Sequence, residues 1–287
     1  MPRPLYAIGD VHGDADRLIN IMQNHGLIDI SSSSVRWTKP NVIVVLMGDV
    51  LDAKSRLGAF GDMLFENTLS DLWIMEFLRT AAEGAARLGS KLMVILGNHE
   101  LMNIRGEHQY VSPHHMLAQD APRKRSEYFS NGKGRATLET LYHTSITYNQ
   151  TNYSHAGIPV DLTQSQSKML GKRAGSALLD RADDPQLVEL VSHRDYMLAQ
   201  SGRPTDEKVA EVCRRHQVRR MVIGHNCTDG AGVLTSFAGR VVYTDTGISR
   251  AFTPQSTPKT MEIVYDPGDG DLCVLRADGS RAPIPNV

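Results

Sequence analysis

Residues 92–96 run Leu-Met-Val-Ile-Leu without a polar side chain and stop at Gly97-Asn98-His99-Glu100. So short an apolar run, closed by a glycine, reads as a strand buried on both faces and cut off by a sharp turn. Two earlier stretches share this grammar. Residues 5–8 (LYAI) lead into Gly9-Asp10-Val11-His12-Gly13, and residues 42–47 (VIVVLM) lead into Gly48-Asp49-Val50-Leu51-Asp52. Helical patterns separate the three, which predicts parallel strands of one sheet. Ligands of such sheets sit beyond the carboxyl ends of the strands. The three strand mouths would therefore bring Asp10, His12, Asp49, Asp52, Asn98 and His99 to one edge.

The rest of the chain is read around that edge. Residues 14–25 are amphipathic at helical spacing, with Asp14 as N-cap and Gly26 as stop. Residues 31–41 (SSSSVRWTKPN) read as a polar surface loop, and 60–88 as helix with a break near Asn67 and Gly89 as its stop. Residues 101–149 open polar and rich in His and Arg, then turn apolar-periodic around 128–142. A helical insertion or lid over the site is expected there, a surface excursion being the alternative. Residues 145–149 and 151–155 read as strands joined at Asn149-Gln150, the second ending in His155-Ala156-Gly157. Helical patterns follow at 162–174, 185–200 and 206–217, then a short strand at 221–223 ending in Gly224-His225-Asn226. From 232 onward hairpins are expected, pairing 233–237 with 240–244 and 261–265 with 271–276. No composition shift marks a boundary, so one domain over 1–287 is expected, with two sheets packed together and helices outside.

Composition narrows the function classes. With 41% hydrophobic and 22% charged residues the 287-residue chain has an ordinary globular balance. A net charge of −1 gives no electrostatic reason to expect nucleic acid or a membrane as partner. The cysteines Cys213, Cys227 and Cys273 are too scattered for a disulfide framework, so reduced thiols are expected. The start Met-Pro-Arg-Pro lacks a leader pattern and no apolar run is long enough to span a bilayer, which makes a cytoplasmic location the expectation.

The polar strand ends define a chemistry. Asp10, His12, Asp49, Asn98, His155 and His225 offer oxygen and nitrogen donors that suit Mn, Fe or Zn, and no thiolate set for a structural zinc is visible. Six donors exceed one tetrahedral site. A bridging carboxylate such as Asp49 would let two ions share them, and two-metal sites serve in-line displacement at phosphoesters. His99, beside a donor and with the Asp52 carboxylate in reach, would be a proton donor to the leaving oxygen. Each Gly-Asp alone is also a common turn or cap, and it is their joint occurrence that carries the reading. His25, His108, His114, His115, His143 and His216 are taken as surface residues, with metal binding by the His114-His115 pair as the lesser alternative. Cys227 is taken as a buried free thiol.

At these residues the chain resembles the phosphoprotein phosphatase family of calcineurin-like metallophosphoesterases. The blocks stand in order: GDVHG at 9–13, GDVLD at 48–52, GNHE at 97–100, HAG at 155–157 and GH at 224–225. GNHELMN at 97–103, SHAGIP at 154–159, and YTDTGIS at 243–249 followed by MEIVYD are most similar to the Shewanella-like phosphatases. The resemblance implies a mixed α/β fold, a central two-sheet β-sandwich flanked by helices, and a dinuclear metal centre. Asp10, His12 and Asp49 would hold one ion, with Asp49 bridging to a second held by Asn98, His155 and His225. His99 with Asp52 would be the acid pair. GHNC at 224–227, in place of GHxH, favours this branch over nuclease-like relatives.

One departure stands out. The family usually reads GDxxDRG, its arginine gripping phosphate, whereas here Asp52 is followed by Ala53-Lys54. Lysine does not replace a bidentate guanidinium. Lys54, Arg56 or Arg105 are candidates to compensate, Asn98 and His225 would also face the phosphate, and Arg194 best matches a second family arginine, ahead of Arg173 and Arg181. The expected activity is phosphomonoester hydrolysis by a metal-bridging hydroxide with His99 as acid. Its substrate would be a phosphoprotein, Ser/Thr favoured and Tyr open. The rivals are a hydrolase of phosphorylated small molecules (dinucleoside polyphosphates or phosphodiesters) and a phosphate-binding module without turnover.

Overall fold

The computed structural model describes residues 2–31, 34–56, 58, 63, 70–198 and 201–287. Among these, the apolar runs form two sheets. The first has seven strands in the order Arg281–Pro283, Cys273–Leu275, Ile263–Asp266, Leu5–Ile8, Ile43–Leu46, Lys91–Ile95, Tyr142–His143. The last four run parallel, which places the ends of the first three apolar runs side by side as expected. The second has five strands in the order Leu234–Ser236, Val241–Tyr243, Arg220–Ile223, Thr151–Ser154, Ser145–Tyr148. Its three central strands are also parallel.

Alternation along each strand builds the layers. Leu5, Ala7, Ile43, Val45 and Ile95 face Tyr153, Val222 and Val242 of the second sheet, forming the core of the sandwich. Tyr6, Ile8, Val44, Leu46 and Val94 point the other way, onto Leu18, Met22, Ile74 and Leu78 of the helices Ala15–Asn24 and Asp71–Arg87. Met221, Ile223 and Tyr243 pack on the far side against Val209 and Val212 of helix Asp206–Arg215. The fold is thus mixed α/β, with central sheets flanked by helices.

Local chemistry sets the boundaries. Asp14 caps the first helix, its carboxylate accepting from the Arg17 N–H at 3.3 Å. Asn149 and Gln150 both take positive φ, 46° and 59°, the backbone of a tight two-residue hairpin turn. Differences from the sequence expectations are local. The loop expected at 31–41 contains the strand Ser34–Trp37, which pairs with Ile28–Ser31 because Val35 and Trp37 alternate inward. The pattern at 162–174 yields only Gln164–Met169, since Leu170 turns to extended backbone, ψ 140°. Helix Pro185–Ser192 stops before Arg194 because His193 is extended, ψ 155°. A third edge strand, Arg281–Pro283, extends the last hairpin. The break expected near Asn67 lies outside the described residues. In 101–149, helices Ala121–Ser130 and Lys133–Leu141 pack on each other and on helices Asn98–Ile104 and Asp71–Arg87.

Leu46 is fully buried in the layer packed on helices Ala15–Asn24 and Asp71–Arg87. Leu46→Ala is expected to lower the free energy of unfolding by about 2–5 kcal/mol, read as a shifted urea midpoint.

Candidate metal centre

Six parallel strands end at the same side of the sandwich, three from each sheet. From the first come Asp10 and His12, Asp49 and Asp52, Asn98 and His99; from the second come His155, His225 and Asp245. Glycine precedes several of them because the backbones approach closely. A Cβ on Gly97 would lie 2.3 Å from Asp49 Oδ1, and one on Gly224 would lie 2.1 Å from Asp10 Oδ1. His12, Asp49, Asp52 and His225 all hold positive φ, between 41° and 74°. That left-handed backbone is costly for residues with a side chain and collects at functional positions.

Asp49 sits at the centre. Its Oδ2 lies 3.2 Å from His155 Nε2, 3.8 Å from His12 Nε2 and 3.9 Å from His99 Nε2, while its Oδ1 accepts the His99 N–H at 3.0 Å. Three groups of donor atoms, each within 4.8 Å of one another, are His12, Asp49 and His99; Asp49, His155 and His225; and Asp10, His12 and Asp245. His155 Nδ1 faces the Met47 carbonyl at 2.8 Å, which turns Nε2 toward Asp49 and toward Asn98 Oδ1 at 3.2 Å. His225 does the converse. Its Nε2 is 3.1 Å from the Ser192 carbonyl, leaving Nδ1 for the site, and its N–H donates to Asp10 Oδ2 at 2.8 Å.

Donors so arranged fit divalent cations. Asp10 Oδ1 and His12 Nδ1 are buried without a hydrogen-bond partner. Burial, reinforced by Asp245 and Asp49, pushes the Asp10 carboxyl well above its usual range. Burial likewise raises Asp245 to about 7. Burial also works against ionised Asp49, but His155 and His99 outweigh it and hold it well below. A cluster that buries three carboxylates together needs positive charge among them. Cys227 is not part of the set: burial pushes its thiol up, so it stays neutral beside Asp245.

Asp52 and His99 form the expected pair, Nδ1 to Oδ2 at 2.7 Å, both buried. Burial lowers the His99 imidazole, yet Asp49 and Asp52 outweigh it and raise it above its ordinary value. His12, Asp49, Asn98, His99, His225 and Asp245 border a cavity of about 390 Å³ that Arg56, Arg194, Met197, Leu198, Asn226 and Phe252 also line. Of the arginine candidates, Arg56 and Arg194 thus reach the cavity. Lys54 instead donates to the Gln109 carbonyl, and Arg105 pairs with Glu107 at 2.8 Å. Arg173 and Arg181 bond to Glu139 and Asp184, away from the site.

Several residues escaped the sequence reading. Asp245 follows the strand Val241–Tyr243, so the strand-mouth rule would have found it had that strand not been read as a plain hairpin arm. Glu100 stitches two mouths together, its carboxylate accepting from the N–H groups of Asp49, Val50 and Gly97 at 2.8–3.0 Å. Of the histidines expected at the surface, one is buried and another turns its ring inward. His25 is 7% exposed, and burial brings it to about 4. The His115 ring lies against Asp71, 3.8 Å away, and the His114-His115 pair enters none of the donor groups. Cys227, expected buried, is half-buried at the cavity wall.

Packed sheets that gather Asp and His clusters at their joined strand ends define a metallophosphoesterase. The profile of the calcineurin-like phosphoesterases matches residues 3–229, and the chain belongs to that family. An uncharacterized protein of Schizosaccharomyces pombe is 26% identical over 286 residues, 92% of this chain and 81% of that one. Shewanella-like protein phosphatase 2 of Arabidopsis thaliana is 39% identical over 111 residues, 39% of this chain but 24% of that protein. The chain thus spans about a quarter of the plant relative. Among solved structures, a cold-active protein-tyrosine phosphatase of a psychrophilic Shewanella superposes with a TM-score of 0.77 at 19% identity, over 99% of this chain and 81% of that one. A protein serine/threonine phosphatase of Saccharomyces cerevisiae gives 0.58 at 14%, over 99% and 83%. At these identities the superpositions speak for the fold.

Asp49→Ala is expected to abolish divalent-metal binding, because it removes the donor shared by two groups. Metal analysis of the purified variant checks this, and unchanged metal content would refute the sharing.

Proposed function

We propose that the chain is a metal-dependent phosphomonoesterase acting on phosphoproteins. The observation that carries the reading is one cavity bordered by His12, Asp49, Asn98, His225 and Asp245, by His99 with Asp52 behind it, and by the guanidinium-bearing Arg56 and Arg194. Asp10, His12, Asp49, Asn98, His155 and His225, joined by Asp245, would hold two divalent ions (Mn, Fe or Zn). Such ions supply Lewis acidity and an activated water when bound. His99, oriented by Asp52, would give its proton to the departing oxygen as the P–O bond breaks. Arg56 and Arg194 would bind the phosphate oxygens that gain charge in the transition state. Asn98 and His225 border the same space. A single domain over 1–287 and a cytoplasmic location accompany this reading. Free cysteines are in keeping with that location; among the described residues no helix is long and apolar enough to cross a membrane.

Arg56 is the better candidate to replace the family arginine absent at 53. Ala53 is fully buried, and a Cβ on Gly13 would lie 2.5 Å from its own, so the turn is tightly packed where the family carries its arginine. The Arg56 guanidinium instead lies 4.5 Å from the Tyr110 ring centroid and 5.2 Å from that of Phe252, a stacked position that holds it at the cavity. The Phe252 ring in the cavity wall favours a second reading in which the ester is phosphotyrosine, in line with the Shewanella structure's description as a protein-tyrosine phosphatase.

Hydrolysis of p-nitrophenyl phosphate and bis-p-nitrophenyl phosphate, with Mn²⁺ and after chelation, tests the proposal. Metal-dependent turnover of the monoester alone is expected. Preference for the diester would favour a nucleotide or phosphodiester hydrolase, and silence on both with metals bound would leave a binding module. His99→Ala should keep its metals and lose about 10²–10⁴-fold in kcat on poor leaving groups. Arg56→Ala should lower kcat/KM by about 10–100-fold, against a few-fold at most for Lys54→Ala.

A further inference from the structure

The carboxylate that orients His99 is itself held in a closed ring of buried polar groups. Asp52 Oδ1 accepts from Asn103 Nδ2 at 2.8 Å and from Arg125 Nη2 at 3.3 Å. Arg125 Nε donates to Asn103 Oδ1 at 2.5 Å. Its Nη1 and Nη2 grip both oxygens of Asp71 at 2.8 and 2.7 Å, and Asp71 Oδ2 accepts the Asp52 N–H at 3.0 Å. Arg125, Asp52, Asp71 and Asn103 are all buried, none more than 3% exposed.

We propose that Arg125 is a positioning residue for the acid pair, fixing Asp52 and through it the His99 ring. The inference rests on the phosphomonoesterase reading of His99. A guanidinium has donors only, so the Arg125 Nε–H decides which end of the Asn103 amide faces it. With Oδ1 turned to Arg125, Asn103 Nδ2 points at Asp52 Oδ1 and at the His99 carbonyl, 2.9 Å away. Asp52 then has one oxygen fully engaged and presents the other to His99. The bidentate hold on Asp71 anchors the guanidinium, and Asp71 anchors the Asp52 backbone in turn. The segment 101–149 thereby acts on the acid pair through Asn103 and Arg125, while its Tyr110 flanks Arg56. Among the described residues, none of those lining the cavity belongs to it.

The test is kcat across aryl phosphates of graded leaving-group acidity. Arg125→Met is expected to lose about 10–100-fold on phenyl phosphate but only a few-fold on p-nitrophenyl phosphate, with metal content unchanged. Combined with His99→Ala, it should add no further loss. Should Arg125→Met fail to fold, Arg125→Met with Asp71→Leu removes both buried charges together and should show the same slope. A uniform loss across leaving groups, or full additivity with His99→Ala, overturns the positioning role alone. A flat profile in His99→Ala itself overturns the acid assignment and this inference with it.

Discussion

Three carboxylates, Asp10, Asp49 and Asp245, are buried together where the two sheets meet. Everything around the site serves to make that tolerable. Like charges in a low-dielectric interior repel, and desolvation penalises each, so Asp10 and Asp245 are pushed toward protonation while Asp49 stays ionised only through His155 and His99. The same imbalance makes the cluster a receptor for cations. The apolar sandwich, whose strands deliver these groups and exclude water around them, keeps the imbalance from relaxing. Positive φ at His12, Asp49, Asp52 and His225 records the backbone cost of holding them there.

Much of this was legible in the sequence because parallel strands buried on both faces leave uninterrupted apolar runs. A polar residue just past such a run stands out against it. Asp10, Asp49, Asn98, His155 and His225 all announce themselves in that way. Asp245 obeys the same rule and was missed: its strand, Val241–Tyr243, is short and paired on one side with the antiparallel Leu234–Ser236, so the hairpin pattern masked the parallel pairing with Arg220–Ile223. The strand Ser34–Trp37 was lost to its serine-rich neighbours for a related reason, since composition outweighed the alternation of Val35 and Trp37.

The ring behind Asp52 was not legible, and its concealment has a physical cause. Arg125 sits in the basic run Arg123-Lys124-Arg125 of a polar helix whose other charged residues are exposed. Nothing in local pattern distinguishes the arginine that turns inward. Its burial depends on Asp52 and Asp71, more than fifty positions away in sequence and brought together only by the fold. His115 was read as surface for the same reason, because the Asp71 carboxylate beside it is a tertiary neighbour.

The turn after Asp52, where Ala53 stands in place of the family's arginine, is tightly packed. Ala53 lies against Ala251, beside Phe252, and against the backbone of Gly13, so this first turn is drawn tight. The loop that closes on it is clamped by Arg250 on Asp14 at 2.7 Å and by Arg17 on the Ile248 and Thr253 carbonyls at 2.6 and 2.7 Å. With the strap held that closely, Phe252 reaches the His12 ring, centroids 4.8 Å apart, and becomes one of the two aromatic faces flanking Arg56. The packing around Ala53 also builds the surface against which the Arg56 guanidinium is held. On the proposed reading, a phosphate grip moved by three residues in this chain brings an aromatic wall to the cavity with it, and that wall bears on which phosphoesters the site accepts.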